Sequence, residues 1–329
     1  MLTRAKELFD PFLAMLIATV LAATIVPARG WGVSLFGWLA DIAILLLFFL
    51  HGAKLSRAAI VAGAAKWRLH LAVLATSFLL YPLLGLGAQA IALRIAPAMA
   101  AGLLYLSLLP STVQSSIAFT SIAGGDVPAA IGSASLSNLL GILLTPVLAH
   151  LLMGAGGRSA SAALDSILKV AGQLLVPFFA GHLARPLIAG FVERHKALVF
   201  RVDRSSILLL VYTAFSAAVV GGIWHRTNLG DLLVALALGG IMLAIVLGVT
   251  LWLSRRFGWA REDEIVWRFC GSKKSLVSGV PLAAAIFPAA QVGMLLLPVM
   301  IFHQMQLMVC SVLARRYAAG ASAIPAEPR

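Results

Sequence analysis

Two adjacent lysines, Lys273 and Lys274, stand inside CGSKKSLVSGVP, Cys270 to Pro281, a stretch that hydropathy otherwise assigns to the middle of a membrane span. An ammonium at the centre of such a helix costs roughly 2.5 to 3.5 kcal/mol on the insertion scale, so two of them need partners. No acidic residue lies within reach along their own helix. Such an ammonium can donate to backbone carbonyls and serine hydroxyls. It can meet the carboxylate, sulfate or phosphate of an anionic substrate, or release its proton and couple transport to protons. A lysine that points into an aqueous cavity as a solvated charge is the alternative, and it too is compatible with anion binding. A second polar tract, LPSTVQSSIAFTSIAGGD from Leu109 to Asp126, interrupts another apolar segment. Pro110 and Pro281 remove backbone donors and the small residues lower helix propensity, so the pair of tracts reads as broken helices lining a site; small-residue helix packing is the plainer reading of the Leu109–Asp126 tract alone.

The elements that must position these residues are membrane helices. The chain has 329 residues, 61% hydrophobic and 11% charged, with a mean hydropathy of +1.00, far from the composition of soluble domains. Runs such as IAILLLFFL, Ile42 to Leu50, are apolar on all sides and lack the alternation of a barrel strand. Ten spans are expected, at about 11 to 28, 33 to 53, 69 to 91, 98 to 123, 127 to 153, 163 to 184, 205 to 224, 231 to 253, 265 to 287 and 291 to 314. The connections on one side, with both termini, hold seventeen Lys and Arg; the other side holds only Arg29, Arg94, Arg158 and Arg226. Both termini are therefore expected in the cytoplasm, and in a bacterium the protein belongs in the inner membrane. The +13 charge is explained by this orientation, with no nucleic-acid partner. Glu7 and Asp10 spoil the basic leader of a signal peptide, so the first span is expected to stay uncleaved. Cys270 and Cys310 both fall in apolar spans and read as small core residues.

Dividing the chain near residue 160 leaves five spans on each side, an odd number, so a duplicated half must insert upside down relative to the other. The expected units are 1–160 and 161–329, with the two polar tracts at corresponding places, spans four and nine. PFLA (Pro11 to Ala14) echoes PFFA (Pro177 to Ala180), and LLTPVLAHLL in span five echoes LLLPVMIFHQ in span ten.

At SSIAFTSIAGGD, NLLGILLTP (Asn138 to Pro146) and above all CGSKKSLVSGVP, the chain resembles the bile acid:sodium symporter family, solute carrier family ten, in its SBF-like branch. The resemblance covers nearly the whole chain. It implies ten helices in two inverted five-helix repeats, a panel and a core domain, broken helices four and nine crossing near the midplane, and organic anions as substrates. Sodium-coupled members of the family bind two sodium ions around that crossover. Their fourth-helix Ser-Asn pair falls on Ser115 and Ser116, and their third-helix glutamine falls on Ser77. Their fifth-helix ligands fall near Ala130 and Ala134, which coordinate nothing. Their Glu-Val-Gly-Met-Gln-Asn falls on Phe269 to Lys274, so the carboxylate is gone and the glutamine has become lysine. A tethered ammonium in the place of a bound sodium is the reading this suggests.

Together these readings describe an all-α polytopic membrane protein that transports a small organic anion by alternating access. Its candidate substrate- and ion-binding residues are Asp41, Ser77, Ser115, Ser116, Thr120, Gly271, Ser272, Lys273, Lys274 and Ser275. No cofactor is expected; sodium or protons are the candidate coupling ions and the bilayer the other partner. Asp41 is read either as a partner for a lysine across the bundle or as a polar contact near the cavity. Asp165 with Lys169, and Glu264 with Arg268, are one helical turn apart and read as self-neutralising pairs. His150, His182 and His303 read as core or interface histidines, Gln114, Gln304 and Gln306 as helix bridges, and Trp31, Trp38, Trp67 and Trp267 as interface anchors. An HExxH helix, Cys-rich metal spacing and a phosphate loop are all missing from the sequence, which speaks against an enzyme. A non-transporting regulatory membrane protein of the same fold remains the alternative, since it would not need the sodium ligands.

Overall fold

A computed structural model of the chain describes residues 11–54, 66–154 and 160–322. Arg4, Lys6, Glu7, Asp10, Arg57, Arg158 and Arg329 lie outside the described residues, as do the side chains of Asp165 and Lys169. The described residues contain helices and no strand. In chain order these are α1 (Pro11–Ile25), α2 (Trp31–Lys54), α3 (Trp67–Ile95), α4 (Pro97–Leu108), α5 (Gln114–Ile122) and α6 (Val127–Met153). They are followed by α7 (Ala160–Arg194), α8 (Lys196–Val220), a single helical turn at Ile223–Arg226, α9 (Leu229–Arg256), α10 (Arg261–Gly271), α11 (Leu276–Ile286) and α12 (Ala289–Ser322). Seven of the described helices contain a segment long and apolar enough to cross a membrane, and α1 and α4 are shorter apolar helices. Most carry apolar residues on every face because lipid replaces water outside the bundle. Trp31, Leu187 and Ile25 accordingly stand 81%, 88% and 78% exposed on its surface.

The helices pack through small residues where backbones must come close. A Cβ on Gly52 of α2 would lie 1.9 Å from the carbonyl oxygen of Phe178 in α7, and one on Gly181 of α7 would lie 1.9 Å from that of Phe49. Neither backbone can retreat without parting the two helices. Gly52→Ala is therefore expected to lower the unfolding temperature of the purified protein, at a cost of about 1–3 kcal/mol, while Ala at Gly37, which meets nothing within 4 Å, leaves it unchanged.

At one end of the bundle Lys66, just before α3, reaches Asp126 at 2.7 Å and Asp263 at 2.6 Å, tying the starts of α3, α6 and α10 together. Asp126 also caps α6 by accepting from Ala129 N–H at 2.9 Å. Burial raises the Asp126 carboxyl, but hydrogen bonds from Lys66 and Ala129 outweigh it and hold the group below its ordinary 3.8. Hydrogen bonds to Asp126 and Asp263 raise Lys66 above its ordinary 10.5. A carboxyl with a depressed folded-state pKa contributes stability above its unfolded value and loses it as pH falls through the folded one; the raised ammonium contributes below 10.5 and loses it above. Thermal unfolding measured across pH should show destabilisation setting in below about pH 4, and Lys66→Met should flatten that acid limb.

Candidate functional site

The two polar tracts form the only places where a helix stops in mid-bundle and restarts among the described residues. Pro110 disfavours helical geometry at the residue before it, and Leu109 is extended, φ −74° and ψ 152°, so α4 ends at Leu108 and α5 begins five residues after Leu109, at Gln114. The second break, Ser272 to Ser275, separates α10 from α11, and Ser275 caps α11 by accepting from Ser278 N–H at 3.1 Å. Pro281 lies inside α11, so the proline did not set that break; the expectation that it would is corrected.

Each break frees backbone groups that cannot stay bare away from water. They are satisfied largely across the two breaks. Ser275 N–H donates to Pro110 O at 2.9 Å, and Ser111 Oγ donates to Cys270 O at 2.5 Å. Ser116 Oγ donates to Phe269 O at 3.1 Å, Tyr81 Oη to Ser272 O, and Thr145 Oγ1 to Leu108 O at 2.8 Å. Gln306 matches its amide to the backbone of one residue, accepting from Lys274 N–H and donating to Lys274 O, both at 2.8 Å. That makes Gln306 the helix bridge its sequence position suggested.

The two lysines are fully buried and differently satisfied. Lys274 Nζ donates to three backbone carbonyls, Ser77 at 2.8 Å, Ser107 at 2.8 Å and Leu109 at 2.7 Å, and stands 4.2 Å from the centre of the Tyr81 ring. Two of these oxygens belong to the C-terminal end of α4, where helix carbonyls are unpaired and the dipole favours a cation. The third comes from the π-helical turn Thr76–Leu80 within α3. Lys273 Nζ has no hydrogen-bond partner among the described residues. It lies 4.0 Å from the centre of the Phe119 ring and 5.6 Å from that of Phe269, a cation–π environment.

Beside the breaks lies a cavity of about 420 Å³. One wall is polar and uncharged, with Thr112, Ser115, Asn138, Ser275 and Ser278. Asn138 holds this wall in register: its Nδ2 donates to Ser111 O at 2.7 Å and its Oδ1 accepts from Ser278 Oγ at 2.6 Å. The other wall, from α1, α2, α7 and α8, is aromatic and charged, with Phe12, Phe48, Phe178 and Phe200 beside Lys54, Asp203 and Arg204.

Of the candidate residues, Ser115 and Ser275 line this cavity. Lys273 and Lys274 do not: both side chains are fully buried and neither lines this cavity, so the expected outlook onto a cavity or water is not seen in this arrangement of the helices. Ser116 and Ser272 join the network around the break, Gly271 ends α10 beside it, and Ser77 contributes its carbonyl, its hydroxyl having no partner among the described residues. Thr120 is buried with no partner for its hydroxyl. Asp41 is exposed on the outside of α2, away from both lysines and the cavity, because the rotation of an all-apolar helix turned it outward. Glu264 and Arg268 do not pair directly. Tyr317 bridges them, accepting from Arg268 Nη1 at 2.6 Å and donating to Glu264 at 2.5 Å. Trp267 is buried and donates to Thr76 Oγ1 at 2.9 Å rather than anchoring an interface. Asn138 stood in a motif of the resemblance, whereas Lys54 and Arg204 were legible only as orientation charges.

The profile of the SBF-like CPA transporter family matches residues 10–319. PA2026 of Pseudomonas aeruginosa, of uncharacterised function, is 53% identical over 318 residues, covering 96% of this chain and 95% of that one. YfeH of Escherichia coli K12, provisionally named a symporter, is 52% identical over 312 residues, 94% and 93% of the two chains. The sodium/bile acid cotransporter 7 of Rattus norvegicus is 27% identical over 276 residues, 83% and 81% of the two chains. The relatives named for an activity are thus transporters and not enzymes.

Proposed function

The chain belongs to the SBF-like CPA transporter family, a multi-pass integral membrane protein, and on that premise we propose that it is a secondary transporter of a small organic anion working by alternating access without bound sodium. The observation that carries the coupling part is the Lys274 ammonium, which takes three carbonyls beside the meeting point of the two breaks. Those are the oxygens a hard cation would use. No carboxylate stands among the hydrogen-bond partners of either lysine. Lys274 serves as an internal cation, and the residues do not suit a diffusible sodium ion. Lys273, with no acceptor, is the group whose surroundings change between conformations and is open to exchange of its proton.

On this reading the ten spans, with α4–α5 and α10–α11 each counted as one broken span, form two inverted five-helix repeats, 1–160 and 161–329. Both termini lie in the cytoplasm. The breaks move as a unit against the aromatic wall that faces them across the cavity. The test is uptake of radiolabelled organic anions into proteoliposomes with sodium, with choline, and with a pH gradient. Uptake that is indifferent to sodium is expected. Uptake that requires sodium would overturn the internal-cation reading, and no uptake of any anion under any gradient would favour a regulatory role.

A further inference from the structure

The charged wall of the cavity carries a recognition group that no hydrogen-bond acceptor among the described residues satisfies. Arg204 lines the cavity with its guanidinium carbon 4.2 Å from the centre of the Phe200 ring and 4.9 Å from that of Phe12. Two rings flank the group, yet none of its N–H donors has a hydrogen-bond acceptor among the described residues. Its neighbour Asp203 does not accept from it: Oδ2 takes the ammonium of Lys54, and Oδ1 has no partner among the described residues. Lys54 pairs with Asp203 and His51 stands beside them, while Arg204 is the permanently charged group of the wall that lacks an acidic partner among the described residues. The planar fork of a guanidinium matches the two oxygens of a carboxylate, which a lone ammonium does not.

The rest of the cavity is graded away from that charge. Phe48 and Phe178 supply an apolar stretch, and the Asn138–Ser278 pair lies on the facing wall among polar groups that include no carboxylate, lysine or arginine. A cavity of about 420 Å³ suits a drug-sized molecule. We propose that Arg204 is the head-group receptor of this cavity, and that the ligand is a monoanion with one planar oxyanion head, an apolar body and a neutral polar far end. The proposal rests on the transporter reading for its purpose, but binding can be measured without flux.

The probes are 2-naphthoate and cholate, each beside its own methyl ester, and 2,6-naphthalenedicarboxylate as a dianion. Binding is measured by isothermal titration to the purified full chain in detergent. At least one monoanion is expected to bind at least about tenfold more tightly than its ester, the equivalent of losing one charge-assisted contact, and 2-naphthoate should bind more tightly than the dianion. Arg204→Gln should erase the preference for acid over ester while leaving the unfolding temperature near that of the parent. Should that variant fail to fold, Arg204→Lys keeps the charge, and it should retain only part of the preference. Esters that bind as well as the acids, an acid preference that survives Arg204→Gln, or no binding by either acid would each overturn the assignment. Anion uptake that survives Arg204→Gln with its acid preference intact would overturn this proposal and leave the transporter reading standing. Selective binding without uptake would do the reverse.

Discussion

Lys274→Ala is expected to give a protein that is strongly destabilised without sodium and partly restored by it. In the parent, one ammonium satisfies the carbonyls of Ser77, Ser107 and Leu109. Removing it leaves three buried acceptors unpaired, each costing about 1–3 kcal/mol, so a total loss of at least about 3 kcal/mol follows. The vacated space is bounded by oxygens and lies at the negative end of α4, so it suits a small hard cation. Thermal unfolding of the variant in sodium chloride should exceed that in choline chloride at equal ionic strength, while the parent shows no such difference. A variant as stable as the parent, or one restored equally by choline, would remove the basis for treating Lys274 as an internal cation.

Lys273→Met should act in the opposite sense on stability and more severely on transport. The Lys273 ammonium has two aromatic rings and no hydrogen-bond acceptor. The rings return part of its lost hydration, but an apolar side chain of similar length fits the same space with no charge to desolvate. A gain of about 1–3 kcal/mol is expected. If the cation finds better partners in the alternate conformation, that gain deepens this state alone, and initial uptake rates should fall at least tenfold. Measuring both quantities on one preparation decides the matter. A destabilised variant points to a structural lysine, and a stabilised one with the parent's rate would sink the transport role.

These residues also show where sequence reading succeeds. Breaks are legible because Pro110 and the serines act locally: a proline constrains its predecessor, and a hydroxyl caps the next few N–H groups whatever the surroundings. Spans are legible because a bilayer demands about twenty apolar residues per helix, a demand met by each segment separately. The rotation of those helices is a different matter. A soluble helix advertises its buried face through polar residues on the other, but α2 is apolar nearly all round, so nothing near Asp41 says which way it points. Trp267 likewise sits close to a helix end where a lipid anchor is the ordinary expectation, and only packing against Thr76 draws it inside.

The sequence alone therefore determined the membrane class, the position of each break and the presence of two lysines that need partners. Only the tertiary structure decided which partners they have. Lys274 meets Ser77 across 197 positions of chain and Leu109 across 165, while its neighbour Lys273 meets two rings and no acceptor. Arg204 passed as an orientation charge because loop basics all look alike in one dimension; its unmet donors exist only where α8 packs beside α1 and α2. Local rules place breaks and spans, whereas the pairing of buried charges depends on helix rotation and contact between distant segments, which no local rule contains.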